Sequence, residues 1–110
     1  MEVKRGDVVI VAHCEFGRAR PAIVVQADEL GDATTTVLVC PITSDLTERL
    51  PVRPTVQPKA GNGLRLQSQV MTDKIFALPR DQVRQSIGAV DAETSDRLDA
   101  ALLLVLGLAR

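Results

Sequence analysis

Turn-forming residues divide this chain about every ten positions, and the segments between them are short and rich in β-branched side chains. Such segments predict the strands of a mostly β domain. The loops at 29–34, 43–50 and 59–63 are polar or rich in glycine and asparagine, as is typical of turns. The predicted strands cover residues 6–12, 21–28, 35–42, 52–57, 65–71, 75–78 and 86–90, with a helical turn at 80–83.

The predicted strands differ in where they can lie in a sheet. Residues 6–12 are apolar on both faces, which predicts a central strand that is covered on both sides. Pro21 stands at the first position of the second strand, where its missing N–H does least harm. Pro54 interrupts the fourth strand and therefore predicts an edge position.

The C-terminal segment has the pattern of a helix. Asp91 can cap its first turn, and Gly107 can end its last. Residues 102–106 are apolar all round, which predicts packing on the sheet and also against a second subunit. Short strands followed by one helix favour a small barrel with a C-terminal helix. The apolar positions at helical spacing are Leu98, Ala101, Leu102 and Val105.

Composition limits the function classes. A length of 110 residues predicts a single domain, 1–110, and a net charge of −1 argues against a protein that coats nucleic acid through overall charge. One histidine and two cysteines are too few for the usual metal sites, so we expect neither a metal nor a cofactor. The chain has no long apolar run and its N-terminus is charged, so we expect no membrane segment or signal peptide and a cytoplasmic location.

Two polar segments hold the candidate functional side chains. Arg18 and Arg20 lie beside Gly17, and guanidinium groups bind phosphate oxygens two at a time. Thr43 and Ser44 follow the third strand, and their hydroxyl groups can bind phosphate or orient a proton. On the pattern alone, solvated loop arginines and ordinary turn-forming residues are the more common explanation.

The cysteines do not indicate a nucleophile. His13 and Cys14 are adjacent, and neighbouring side chains of an extended segment point to opposite sides. Cys40 lies inside an apolar strand and is predicted to be a small buried hydrophobe.

Four segments form an ordered set along the chain, namely residues 5–9, 17–25, 39–44 and 63–70. Taken together, they resemble the MazF/PemK family of toxins from bacterial toxin–antitoxin pairs. The C-terminal residues 87–108 also fit, so the resemblance covers nearly the whole chain. It implies an SH3-like barrel with a C-terminal helix, the MazF/CcdB/PemK-like fold, assembled as a homodimer.

The resemblance implies the toxin of a type II toxin–antitoxin system, which cuts single-stranded messenger RNA at short sequences. It also implies an antitoxin partner, which in such systems offers an acidic, poorly ordered tail. RNA can be cut when its 2′-hydroxyl attacks the adjacent phosphate, and an enzyme must align that hydroxyl and stabilise the added negative charge. The expected products are a 2′,3′-cyclic phosphate and a 5′-hydroxyl, and this chemistry does not require a metal ion.

The resemblance also assigns roles to residues. Arg20 matches the catalytic arginine of the family, and Thr43 matches its threonine partner. Gln69 matches a substrate contact. Glu15 has the spacing of a functional acid that some relatives carry. The loop formed by residues 13–19 is shorter than in many relatives.

Three further residues follow from the chemistry of such a site. Ser44 is expected to support Thr43 in holding a phosphate oxygen or the attacking hydroxyl. Phe16 is expected to stack a splayed base, while Arg18 holds a phosphate.

Two rival functions remain open on the sequence. The CcdB toxins share this fold and poison gyrase, but they rely on an aromatic C-terminal end that includes a tryptophan, and this chain has no tryptophan. A non-catalytic SH3-like binding module is the other rival. Such modules use aromatic-lined grooves, and two phenylalanines are few for that purpose.

Overall fold

The computed structural model describes residues 2–12 and 18–109, and within them the predicted strands and the predicted helix are all present. The first, third and sixth strands match their predicted bounds to within one residue, whereas the second, fourth and fifth are shorter than predicted and the seventh is longer. The elements are β1 (Asp7–Val11), β2 (Arg20–Val24), β3 (Thr36–Thr43), β4 (Thr55–Val56), β5 (Ser68–Val70), β6 (Phe76–Pro79), β7 (Val83–Ala89) and α1 (Ala92–Val105).

The strands form a bent antiparallel sheet in the order β4–β5–β3–β2–β1–β7. β1 lies between β2 and β7, so the prediction of a central strand is confirmed. The long strand β3 pairs with β2 on one edge and divides its other edge between β6 and β5. Because β3 serves two partners in succession, the sheet curls into a half-barrel with the helix at the end of the chain.

The fourth strand confirms the edge position predicted from Pro54. Its two residues pair only with β5, and no further strand follows on that side among the described residues. Pro54 has no N–H to donate, but its carbonyl accepts the N–H of Val70 at 3.0 Å. The proline therefore shortens the strand without detaching it from the sheet.

Both faces of β1 are buried because the sheet carries a core on each side. Val8 packs into the core between the sheet and the helix, whereas Val9 and Val11 pack into the core on the opposite face. This alternation explains why β1 is apolar on both faces. The helix contributes Leu98 and Leu102 to the first of these cores.

Both predicted ends of the helix are confirmed. The Asp91 carboxylate accepts the N–H of Thr94 at 2.9 Å and binds the Lys59 ammonium at 2.8 Å. The pKa of Asp91 is well below its usual range. The hydrogen bond from Lys59 is the largest cause, and the hydrogen bond from Thr94 adds to it. Gly107 has a φ of 75°, the left-handed conformation that ends helices. In residues 2–12 and 18–109, no helix is long and apolar enough to cross a membrane.

Replacing Leu98 with alanine is expected to destabilise the fold, because the side chain is fully buried between helix and sheet. Such a truncation costs about 2–5 kcal/mol through lost burial and the cavity that remains. Urea denaturation followed by circular dichroism measures the change. Leu30→Ala is the control, because Leu30 is 46% exposed on a turn. An equal loss in both variants would contradict the assigned core.

Candidate active site

An open cleft of about 470 Å³ lies where β2 begins and β3 ends. Three separate segments line it, so the cleft depends on the sheet and on the turn before β5. The lining residues come from 18–21, 42–45 and 64–68.

The sheet brings Arg20 and Thr43 together. The antiparallel register of β2 and β3 pairs Ala22 with Pro41. Two residues further along each strand, the same register reaches Arg20 and Thr43, the first residue of β2 and the last of β3. Opposite residues of an antiparallel pair project from the same face of the sheet. Both residues accordingly line the cleft.

The arginines of the cleft are free to bind a ligand. Arg18, Arg20 and Arg65 are exposed, and none of their guanidinium groups makes a hydrogen bond or ion pair to the described part of the chain. The Asp45 carboxylate is the one acidic group among the described lining residues, so the cleft carries a net positive charge on a chain whose net charge is −1. These arginines form a local basic patch on a nearly neutral protein. Four other arginines, by contrast, donate to protein oxygens: Arg5, Arg53, Arg80 and Arg97.

The hydroxyl groups of the cleft lie on the turn that leaves β3. Thr43 Oγ1 accepts the backbone N–H of Asp45 at 3.0 Å. This bond fixes the oxygen and leaves the hydroxyl hydrogen to be donated elsewhere. Ser44 is exposed on the same turn and lines the cleft beside it. The turn-forming role expected for these residue types is confirmed, and the same turn places both residues in the lining of the cleft together with Arg20.

Gln69 lies beside the cleft and does not line it in the described structure. Its side chain is buried, and both ends of its amide are used by one residue of the neighbouring loop. Oε1 accepts the N–H of Thr47 at 3.0 Å, and Nε2 donates to the carbonyl of Thr47 at 2.8 Å. The substrate contact predicted for Gln69 therefore competes with two internal hydrogen bonds.

Two predicted site residues, Glu15 and Phe16, lie outside the described residues, as do His13, Cys14 and Gly17. Cys40 is fully buried in β3, and burial raises the pKa of its thiol to about 12. A neutral buried thiol is inert. The prediction that Cys40 is a core residue is confirmed.

The sequence alone did not single out Arg65. It reaches the cleft because the turn before it is built around the buried side chain of Asn62. Asn62 Oδ1 accepts the N–H groups of Lys59 and Leu64, and its amide nitrogen donates to the carbonyl of Gln57. The only signal in the sequence was the run Gly61-Asn62-Gly63, which predicts a turn but not the direction in which the chain leaves it. No three His, Cys, Asp or Glu side chains within 2–12 and 18–109 are grouped closely enough to hold a metal ion.

A family model described as "PemK-like, MazF-like toxin of type II toxin-antitoxin system" matches residues 4–106. This chain belongs to that toxin family. Among curated relatives, the toxin is 33% identical to the probable endoribonuclease MazF of Mycolicibacterium smegmatis, over 97% of this chain and 99% of that protein. It is 30% identical to endoribonuclease EndoA of Bacillus subtilis, over 98% of this chain and 97% of that protein.

Solved structures show the same fold for this toxin. The Mycobacterium tuberculosis toxin MazF-mt6 superposes with a TM-score of 0.81 at 24% identity, covering 94% of this chain and 99% of that one. A MazE–MazF crystal structure from Deinococcus radiodurans superposes with a TM-score of 0.80 at 21% identity, covering 99% of both chains. The predicted MazF/CcdB/PemK-like architecture is confirmed.

Proposed function

We propose that this toxin is an endoribonuclease that cuts single-stranded messenger RNA at a short sequence, with the cleft between β2 and β3 as its active site. The observation that carries the proposal is the pairing of an unengaged guanidinium, that of Arg20, with the hydroxyl groups of Thr43 and Ser44 across a positively charged cleft. The two curated relatives above are both named endoribonucleases. The whole chain, 1–110, is taken as one toxin domain.

The chemistry follows from what these groups can donate. The 2′-oxygen attacks the adjacent phosphorus and loses its proton, while the bond to the 5′-oxygen breaks and that oxygen gains a proton. Arg20 binds two phosphate oxygens with its parallel N–H groups and stabilises the charge that develops on them. The hydroxyl hydrogen of Thr43 is donated to a phosphate oxygen or aligns the 2′-hydroxyl, with Ser44 in support. The arginine supplies the positive charge, so the step requires no metal ion.

Residues around this centre hold the RNA strand. Arg18 and Arg65 bind neighbouring phosphates, which positions the strand without reading its sequence. Phe16 is assigned to stack on a splayed base, and Glu15 is assigned the role of a supporting acid, in keeping with their sequence positions.

The end of the helix supports assembly as a homodimer. The exposed leucine patch consists of Leu103, Leu104, Leu106 and Leu108, and each of these side chains is about half exposed. Three of them also line an apolar groove together with Val25 and Ile75. Contiguous exposed apolar surface is typical of a subunit interface. A second copy of this chain is the proposed occupant.

Replacing Leu104 with glutamate is expected to weaken the dimer, because it places a charge in an interface that excludes water. The dissociation constant should rise about 10- to 100-fold, which sedimentation velocity measures over a dilution series. Leu30→Glu carries the same change at an exposed leucine outside the patch and should leave the constant unchanged. An unchanged constant for Leu104→Glu, or equal effects of both changes, would assign the interface elsewhere.

The antitoxin is the second proposed partner. One of the similar solved structures is a mycobacterial endoribonuclease in complex with its cognate antitoxin. An acidic, partly disordered antitoxin tail would compete with RNA for the arginines of the cleft and fold as it binds. We place the toxin in the cytoplasm, where messenger RNA and antitoxin are both present.

The direct test incubates the purified toxin, free of antitoxin, with a long single-stranded RNA. The proposal expects a reproducible set of discrete fragments. Intact RNA that is retarded in a gel would favour a non-catalytic binding module. Intact, unbound RNA together with inhibition of gyrase supercoiling would favour a gyrase poison of the CcdB kind.

A further inference from the structure

The loop that leaves β3 is held to the body of the protein by Gln69. Residues 44–54 join β3 to β4 without a strand or helix of their own. The second half of this loop is fixed by Thr72, whose hydroxyl donates to the carbonyl of Val52, and by the Arg53–Asp73 ion pair. In the first half, residues 44–49, two side chains from outside the loop make hydrogen bonds to it, within the part of the chain that is described. One is Thr43, the residue that precedes the loop, and the other is Gln69, which reaches it from β5.

The contact made by Gln69 is well suited to fix a loop. Its amide donates to the Thr47 carbonyl and accepts from the Thr47 N–H, so one planar group satisfies both backbone groups of one residue. The Gln69 side chain is 7% exposed, and its position is set by β5, where its backbone pairs with Thr43 on one side and Thr55 on the other. The amide thus connects β5, which pairs with Thr43, to the loop that follows Thr43.

We propose that Gln69 is a positioning residue, which holds the Thr43–Asp45 turn against Arg20, and that it does not bind RNA itself. This inference rests on the proposed ribonuclease function. It replaces the substrate contact that the family resemblance implied for Gln69. The Thr43 hydroxyl is oriented by the N–H of Asp45. Asp45 in turn lies two residues before Thr47, whose backbone the Gln69 amide binds. Release of Thr47 would let this turn move, and the Thr43 hydroxyl would move with it.

The expected consequence is a loss of rate with little change in RNA binding. The arginines of the cleft lie on other segments, so the strand would still be held when the turn is released. A displacement of about 1 Å in a catalytic group lowers a rate about 100-fold. We therefore expect Gln69→Ala to lower kcat by about 10- to 100-fold and to change KM by less than about twofold. Gln69→Glu should behave similarly, because a carboxylate cannot donate to the Thr47 carbonyl.

The chain offers a matched control in Gln26, another buried glutamine that is 7% exposed. Its amide accepts the N–H of Leu38 and donates to the hydroxyl of Thr34, and neither partner lines the cleft. Gln26→Ala therefore removes a comparable internal contact and should leave kcat unchanged. Amide hydrogen exchange gives a readout that is independent of activity. Residues 44–49 should exchange faster in Gln69→Ala and at the wild-type rate in Gln26→Ala.

A double variant decides between positioning and direct contact. In the Thr43→Ala background, Gln69→Ala should cause little further loss of kcat, because the group that it positions is already gone. A raised KM with unchanged kcat, or a full additional loss in that background, would overturn the proposal in favour of an RNA contact. An equal loss of kcat in Gln26→Ala would overturn it in favour of general destabilisation. Wild-type protein that cuts no RNA would overturn the proposed function itself, whereas active wild type with an unimpaired Gln69→Ala overturns only this inference.

Discussion

Arg20→Ala is expected to lower kcat for RNA cleavage by about 100- to 1,000-fold, because it removes preorganised donors from the charge that develops on phosphorus. The fold should be unaffected. The Arg20 side chain is exposed and makes no hydrogen bond to the described residues, so the free energy of unfolding should change by less than about 0.5 kcal/mol. Single-turnover cleavage of a short RNA, with thermal unfolding of the same preparation, measures both quantities.

Two variants separate the geometry of Arg20 from its charge. Arg20→Lys keeps the charge but loses the planar fork that binds two oxygens, so it should retain only a part of the activity. Lys4→Ala removes one positive charge from a side chain that is 70% exposed and lies outside the cleft, and it should cut RNA at the wild-type rate. Equal activity of Arg20→Ala and Lys4→Ala would remove Arg20 from the active site.

A single 2′-deoxy nucleotide on the 5′ side of the cleaved bond is expected to abolish cleavage there, because the attacking nucleophile is absent. The cleavage site is first mapped on the unmodified RNA, and the substituted strand is then digested under the same conditions. Binding should be retained, since the phosphates and the bases are unchanged. The modified strand should therefore act as a competitive inhibitor.

The control for this substitution is a 2′-deoxy nucleotide placed two positions further along the strand. It alters the sugar equally and leaves the nucleophile in place, so cleavage should continue. Normal cleavage of the first substituted RNA would show that the 2′-hydroxyl is not the nucleophile, and the mechanism proposed here would fail.

The sequence predicted the fold well where one local rule decides the structure. β-branched runs became strands, Pro54 marked an edge, and Asp91 and Gly107 ended the helix as expected. The predicted strand bounds were wrong where tertiary contacts determine the local structure. Residues 65–67, at the start of the predicted fifth strand, follow the turn that Asn62 organises and pair with no neighbouring strand, so β5 begins only at residue 68.

β7 is longer than predicted because its pairing, and not its hydropathy, defines it. Residues 83–85 alternate little in polarity, yet Val83 and Gln85 pair with β1. Close contact with a neighbouring turn also lies outside what a sequence pattern shows. A Cβ on Gly88 would lie 2.4 Å from the carbonyl oxygen of Gly61, so the turn packs directly on the backbone of β7.

The candidate site was only partly readable from the sequence. Arg20 and Thr43 could be named from the family resemblance, but their shared cleft depends on the register of β2 and β3. Arg65 could not be named, because the direction of its turn is set by buried hydrogen bonds of Asn62. The contact between Gln69 and Thr47 joins a strand to an irregular loop, and no periodicity or motif specifies such a contact.

The chemistry of the cut ends tests the account most directly. A short RNA that contains the mapped site is digested by the wild-type toxin in excess EDTA, and both product ends are identified by mass spectrometry. The account predicts cleavage in EDTA, with a 2′,3′-cyclic phosphate on one fragment and a 5′-hydroxyl on the other. Products with a 5′-phosphate, or cleavage that stops in EDTA and returns with added Mg²⁺, would contradict it.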